Sequence, residues 1–191
     1  LTTIASIERV RDLRPEVLIT GHFGPIHGAQ RIHAELTRLR DAIAYVHDRT
    51  VEGMNAGKDV HTLMREITLP AELEVGQGYG KVAWDVRAIW ENYSGWFHHR
   101  STTELYDVGP EELNADLVDL AGPDRIVERA EAHLATGRPI HAIHLAEAVV
   151  HADSGHAGAR AVLKAAHQNL LAASTNFWES AWLTKKIGDY S

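Results

Sequence analysis

Apolar residues recur along most of this chain with the spacing of helix faces. From Gly28 onward the intervals between them alternate between four and three residues, the repeat of one side of a helix. The pattern predicts one continuous helix of roughly 25 residues that ends at Gly57, a residue type common at helix C-termini. The residues of this apolar stripe are Ile32, Leu36, Leu39, Ile43 and Val46.

A second long helix is predicted from Lys81 to Phe97, and shorter helices fill most of the remaining chain. Asp59 is a good N-cap for a short helix that reaches Ile67. Asn176, followed three residues later by Glu179, resembles a capping box. The other predicted helices cover roughly residues 110–119, 123–136, 138–152, 156–173 and 176–187.

Residues 123–173 resemble stacked helical hairpins of the tetratricopeptide kind. Gly137 and Ala157 stand at offsets that suit this repeat, and about one and a half repeats fit the stretch. The fold class predicted from these patterns is mainly α.

The beginning of the chain has a different pattern. Residues 2–14 are predicted to form an amphipathic helix, which Pro15 ends because proline disfavours helical backbone in the residue before it. The short apolar run at Val17–Thr20 is predicted to be a strand of an α/β sheet. No later segment has a comparable β-branched run to pair with it. We therefore expect the chain to begin partway through another fold.

Composition and charge exclude several classes of function. The net charge of -7 argues against nucleic-acid binding, which needs a basic surface. The chain has no cysteine, which excludes disulfides, thiolate zinc sites and cysteine nucleophiles and suits a cytoplasmic protein. No apolar run approaches the roughly 20 residues of a membrane span. The expected partners therefore include neither nucleic acid nor a bilayer.

The strongest candidate for chemistry is the segment Gly21–Gly28, directly after the predicted strand. His22 stands at the C-terminal end of that strand, on a turn rich in glycine and proline. Imidazole is the commonest protein ligand for zinc, and glycines let the backbone approach an ion closely. The alternative is a turn histidine that hydrogen-bonds to the backbone.

The other histidines give weaker signals, although the chain has 13. His141 and His144 share a helix face, and His151 falls near it. No carboxylate stands between them as it does in a His-Glu-x-x-His zinc helix. The pattern favours a solvated or partly buried helix face.

Tryptophans at positions 84, 90 and 96 spread round the second long helix, because they lie six residues apart. Trp90 falls on the apolar side of that helix. Trp84 and Trp96 do not, and they are candidates to line a substrate pocket or a subunit interface. Packing in the core or an interface is the simpler interpretation.

Three segments together resemble a known family. Leu18–Gly28 is similar to the last metal-binding loop of metallo-β-lactamase-fold hydrolases. Asp41–Gly57 is similar to the entry of the alkyl-sulfatase dimerisation domain, and Gly80–Phe97 to its central helix. The resemblance implies that residues 1–28 are the end of an αββα catalytic domain, its last helix and strand. Residues 29–191 would form an all-helical dimerisation domain.

The resemblance further implies a zinc hydrolase, bacterial in origin, with two metal ions in the intact parent. Of the family's metal ligands, His22 is the match in this chain, since the His-x-His-x-Asp-His motif is absent. This chain alone would then be inactive and would hold zinc weakly or not at all. The missing ligands would lie upstream or in a companion chain, and no catalytic residue is assigned.

One departure bears on the substrate. Trp84 stands where alkyl sulfatases have a histidine, and an indole N–H cannot donate a proton as an acid. The expected substrate is therefore a small-molecule ester held against an apolar wall of Trp84 and Trp96, with sulfate esters in doubt. We expect a homodimer whose contact comes from the apolar stripe and the tryptophan helix.

A function of another class fits the later helices. A tetratricopeptide-like module could bind a peptide, or act as a scaffold, through a concave groove lined by residues 123–187. The coding sequence upstream distinguishes the two interpretations, because a His-x-His-x-Asp-His motif there would favour the hydrolase.

Overall fold

The computed structural model describes residues 1–191, and nearly all of its regular structure is helical. The prediction of a mainly α chain is confirmed. None of the helices is long and apolar enough to cross a lipid bilayer. The α-helices are α1 (Thr2–Asp12), α2 (Ala29–Asn55), α3 (Val60–Glu66), α4 (Val82–Ser94), α5 (Asn114–Ala121), α6 (Pro123–Ala135), α7 (Pro139–Ala152), α8 (Ala157–Ala173) and α9 (Phe177–Asp189). The strands are β1 (Val17–Leu18) and β2 (Ile26–His27), and single 3-10 turns form at Ala71–Leu73, Thr102–Leu105 and Pro110–Leu113.

The chain divides into two compact units, Leu1–Trp96 and Phe97–Ser191. The first unit contains α1 to α4 with both strands, and α1, β1 and β2 contact α2. The second unit contains α5 to α9. The predicted boundary between residues 1–28 and 29–191 concerns the origin of each segment in a larger protein, and it stays a prediction.

Helix α2 is the long helix predicted from the apolar stripe. Ile32 and Val46 are buried, with 1% and 3% of their surface exposed. The helix ends as predicted at Gly57, which has a φ of 75° that suits glycine. The N–H of Gly57 donates to the Met54 carbonyl at 2.9 Å, and that of Lys58 donates to the Gly53 carbonyl at 3.0 Å. This bonding pattern closes the helix end in a Schellman motif.

The strand near the start of the chain has a partner, contrary to expectation. β1 pairs antiparallel with β2, so that Val17 lies opposite His27 and Leu18 opposite Ile26. The N–H of Gly28 also donates to the Glu16 carbonyl, at 2.9 Å. The partner strand β2 lies inside the glycine-rich segment Gly21–Gly28, where the chain reverses direction and returns beside β1. A two-residue strand carries too short a pattern to be recognised from sequence.

Helices α3 and α4 complete the core of the first unit. The predicted cap of α3 is present: the Asp59 carboxylate accepts hydrogen bonds from the backbone N–H groups of His61 and Thr62, at 3.0 and 3.1 Å. α4 ends at Ser94, three residues before the predicted end, because Gly95 takes a φ of 68°. The buried residues of this core cluster are Val46, Leu63, Val82 and Val86.

The second unit stacks successive helices joined by short turns, as tetratricopeptide-like hairpins do. α6 packs against α7, α7 against α8 and α8 against α9, and α6 also contacts α8. Alanines fill the closest contacts, since the side chains of Ala130, Ala142 and Ala146 are wholly buried. The predicted cap of α9 is present, because the Asn176 side chain accepts from the Glu179 N–H at 3.0 Å.

Candidate functional site

His22 lies on the exposed turn between β1 and β2, and an aromatic side chain from a distant loop covers its ring. The ring stacks on that of Tyr79, with centroids 5.9 Å apart and planes 15° apart. Phe23 meets the same tyrosine edge-on at 5.9 Å. The contact joins the β1–β2 turn to the loop that leads into α4. The spacing of positions 22, 23 and 79 in the sequence does not predict this contact.

Trp84 lies in the first turn of α4, which follows the loop that carries Tyr79. The Nζ atom of Lys81 is 5.5 Å from the centre of the Trp84 ring, a cation–π distance. The Gln77 side chain accepts a hydrogen bond from the N–H of Val82 at 3.0 Å and so holds the preceding loop to the helix start. Tyr79 lies within that loop, which places His22 and Trp84 at the same end of α4.

Trp96 lies beyond the opposite end of this helix. The ten steps from Trp84 to Ser94, where α4 ends, span roughly 15 Å at the helical rise, and Trp96 follows two residues later. Trp96 is 73% exposed and Trp84 is 38% exposed. Of the two tryptophans predicted to bind substrate, the structure therefore brings Trp84 to the end of α4 where His22 lies and places Trp96 far from it.

Asp85 is the titratable group in this region whose pKa is shifted by its environment. It borders two cavities beside α4, of about 180 and 240 Å³, both lined mainly by apolar side chains. Partial desolvation raises the pKa of the Asp85 carboxyl above its usual range, although the residue as a whole remains exposed. A carboxyl group of this kind at the edge of a cavity is a candidate for proton transfer.

A polar network that single histidines did not reveal joins α2 to α4. The Nε2 atom of His47 lies 2.8 Å from the Tyr93 hydroxyl, and its Nδ1 atom lies 2.9 Å from a carboxylate oxygen of Asp48. The rings of His47 and Tyr93 are 5.7 Å apart. The bond to Tyr93 links the two helices, and the bond to Asp48 within α2 engages the other ring nitrogen. The adjacent pair His47-Asp48 was visible in the sequence. The third member of the network, Tyr93, lies 46 residues from His47, so no local pattern joins it to the pair.

The residues of this chain do not fit a zinc centre by themselves. No three histidine, aspartate or glutamate side chains lie close enough together to hold a metal ion. His22 supplies one imidazole, whereas a catalytic zinc has three protein ligands. Of the other histidines considered, His141 stacks on His133 at 5.2 Å and His151 bonds to Asn114 at 2.9 Å.

The predicted subunit contact through the apolar stripe and the tryptophan helix stays a prediction, but two members of the stripe are not available for it. Ile32 and Val46 are covered by the chain itself, and Val46 belongs to the core cluster formed with α3 and α4. A side chain already buried in its own unit offers no surface to a second copy. The large exposed apolar side chains of the second unit lie elsewhere, several of them on α9.

Comparison with known proteins gives one family. Residues 60–186 match the family model described as alkyl sulfatase dimerisation. The chain is 29% identical, over 94% of its length, to a linear primary-alkylsulfatase of a Pseudomonas species. It is 28% identical, also over 94%, to an (R)-specific secondary-alkylsulfatase of Pseudomonas, and 26% identical over 89% to an alkyl/aryl-sulfatase of Saccharomyces cerevisiae.

Solved structures agree with these relatives. A double mutant of the sec-alkyl sulfatase PisA1 superposes on 99% of this chain with a TM-score of 0.85 and 27% identity. The stereoselective inverting sec-alkylsulfatase Pisa1 from Pseudomonas covers 97% with a TM-score of 0.84, also at 27% identity. The chain spans 35% and 28% of the two Pseudomonas sequence relatives and 31% and 30% of these structures.

Proposed function

Because this chain belongs to the alkyl sulfatase dimerisation family, we propose that it joins two subunits of a metal-dependent hydrolase and forms one wall of its active site. The observation that carries this proposal is the similarity to a sec-alkyl sulfatase over 99% of the chain. A family described by dimerisation favours a homodimer over the alternative of a peptide-binding helical module.

The proposed wall lies at the N-terminal end of α4. Tyr79 and Phe23 present aromatic surface beside His22, and Trp84 adds an indole to the same end of the helix. Such a surface suits the apolar part of a small-molecule ester. In this proposal Trp96 contributes to a different part of the surface.

His22 is the residue of this chain that we propose as a metal ligand. The ring lies on an exposed turn, so a metal held by ligands outside these 191 residues has access to it. Two zinc ions in the complete hydrolase would supply an activated water and polarise the ester. The stacking of Tyr79 holds the imidazole in one orientation, which favours coordination in a fixed geometry.

The metal is tested on the complete gene product, in the longest reading frame that contains this chain. Purified protein is analysed for bound zinc, and His22→Ala is compared with the matched surface variant His61→Ala. We expect His22→Ala to lose bound metal and His61→Ala to keep it. Equal metal content in all three proteins contradicts the ligand role of His22.

The substrate is tested with a panel of alkyl sulfates and carboxylic esters on the same protein. We expect the protein to hydrolyse esters. The Trp84→Ala variant should hydrolyse them less efficiently, through a higher KM, because an apolar wall binds substrate without taking part in bond cleavage. Efficient turnover of alkyl sulfates would show that Trp84 does not prevent sulfate-ester chemistry. The 191-residue chain alone is expected to be inactive in the same assays.

A further inference from the structure

Helix α9 carries an aromatic stripe on the side that faces away from its own unit. Trp178, Ala181, Trp182 and Lys185 follow each other at intervals of three, one and three, which places them on one helix face. We call this set the α9 stripe. Leu183, 5% exposed, lies on the opposite side of the helix and packs inward. The helix therefore has an apolar face for its own core and a second one directed outward.

The outward face exposes more apolar surface than isolated surface residues do. Trp178 and Trp182 are each 59% exposed, and the neighbouring Phe177 is 54% exposed. Phe177 and Trp178 contact each other edge-on at 5.2 Å. Since each aromatic side chain has about 150–250 Å² of surface, the three together expose on the order of 400 Å². This is about half of the roughly 800 Å² that each partner contributes to a standard protein interface.

The charges along α9 make the stripe complementary to itself. The aromatic residues lie toward the N-terminal half, and Lys185 and Lys186 lie in the last turns. Both ammonium groups already approach the Trp182 ring, at 6.0 and 5.7 Å. Two such helices in antiparallel contact bring the lysines of each beside the aromatic rings of the other. Their macrodipoles then oppose each other, which is also favourable.

We propose that α9 is a contact helix of the homodimer and that it packs antiparallel against α9 of a second copy, with the two-fold axis near Ala181. In this arrangement Trp178 of each copy meets Trp182 of the other, as an isologous contact requires. The small side chain of Ala181 lets the two helices approach at the axis. The inference rests on the proposed dimerisation function and adds the surface that carries it.

Two further observations favour a second copy as the occupant. The family match described by dimerisation extends to residue 186 and so includes all three exposed aromatic residues. Two members of the α2 stripe that sequence patterning favoured for the subunit contact, Ile32 and Val46, are already buried by the chain's own packing.

The first test compares Trp182→Glu with Leu117→Glu by sedimentation velocity of the 191-residue chain. Leu117, on α5, is 58% exposed and so matches Trp182 in exposure and in the charge introduced. We expect the dimer dissociation constant to rise at least about 30-fold in Trp182→Glu, as for a central aromatic contact, and to stay within about threefold in Leu117→Glu. Circular dichroism verifies that both variants keep the helical content of the parent.

The second test uses the absence of cysteine from the chain. Ala181→Cys places a single thiol near the proposed axis, and Ala132→Cys places one on the exposed face of α6 as the matched control. A short bis-maleimide should link two copies of the Ala181 variant and leave the Ala132 variant unlinked. Because the first test disturbs the helix face and this one leaves it intact, the pair remains informative if Trp182→Glu unfolds.

The outcomes separate the two proposals. A wild-type chain that stays monomeric at micromolar concentrations contradicts the dimerisation function itself. A wild-type dimer that Trp182→Glu does not weaken, or that Ala181→Cys does not link, overturns the α9 contact and leaves the dimerisation function standing. Equal weakening by Leu117→Glu also counts against α9, because the effect would then not be specific to its outward face.

Discussion

His133 shows how one side chain of α6 can make stability depend on pH. Its Nδ1 atom is buried without a hydrogen-bond partner, and its ring stacks on that of His141. Burial lowers the pKa of His133, and the charges of Arg138 and Arg129, with that of His141 when it is protonated, lower it further. The folded second unit therefore favours the neutral imidazole.

We predict that acid destabilises the protein partly through this residue. An unfolded histidine has a pKa of about 6.5, and the folded value lies below it, so the unfolded chain binds the proton more tightly. The stability from neutral His133 is present above about pH 6.5 and is lost as the pH falls through the folded pKa.

Thermal unfolding at pH 7.5 and pH 5.0 measures the effect. His133→Gln should lose less stability between the two pH values than the wild type or His61→Gln, and an equal loss in all three contradicts the role of His133.

Gly53 is a second single position with a large expected effect. It lies inside α2, and a methyl group added there would overlap the side chain of Leu63, which is buried at 2% exposure. We predict that Gly53→Ala lowers the free energy of unfolding by about 1–3 kcal/mol, because an overpacked core must shift.

Gly188 provides the matched control for this change. It lies in the last turn of α9, and nothing lies within 4 Å of an added Cβ. Gly188→Ala should be neutral or raise the free energy of unfolding by up to about 1 kcal/mol, the helix preference of alanine over glycine. Urea titration of both variants gives the comparison. Opposite signs for the two changes are the expected result, and two equal values would show that the Leu63 contact does not limit position 53.

Among the elements, α3 is a short helix whose first turn is held by a single side-chain cap. It has seven residues, too few to be stable alone. The Asp59 carboxylate accepts two backbone hydrogen bonds, and its other oxygen accepts one from the Thr62 hydroxyl at 2.6 Å. The cap thereby keeps Leu63 in the core cluster with α2 and α4.

We predict that Asp59→Ala lowers the free energy of unfolding by about 1 kcal/mol, the usual loss for an N-cap. Asp59→Asn keeps a side-chain oxygen acceptor and should recover most of the loss. The measurement is urea unfolding followed by circular dichroism. If the asparagine variant is as unstable as the alanine variant, the contribution of Asp59 is its charge near the helix N-terminus and not its hydrogen bonds.

For the whole molecule, the proposed dimerisation makes stability depend on protein concentration. A folded chain that associates is stabilised by mass action, whereas the unfolded chain gains nothing. We predict that the midpoint of thermal unfolding rises by on the order of 2 °C for each tenfold increase in protein concentration above the dissociation constant. Differential scanning calorimetry from micromolar to hundreds of micromolar concentration measures it, with Trp182→Glu as the variant that should show a much smaller rise. A midpoint independent of concentration contradicts a dimer.

Local patterns in the sequence were sufficient for most of the helices and their caps. The period of the apolar stripe, Gly57 and the Asp59 cap are determined by residues within a few positions of each other, so α2 and α3 were predicted close to their observed limits. The same holds for Asn176 at the start of α9. Resemblance over three segments also indicated the family, which the comparisons confirm.

Contacts between distant positions needed the tertiary structure. The pairing of β1 with β2, the stacking of His22 on Tyr79 and the bond from His47 to Tyr93 join residues with no shared period. Burial is likewise a property of the folded chain. Packing buries Ile32 and Val46 of the apolar stripe predicted on α2, whereas on α9 it leaves Phe177, Trp178 and Trp182 more than half exposed. The helices thus followed from local hydrogen bonding and periodicity, whereas the free surfaces were decided by which faces the chain buries against itself.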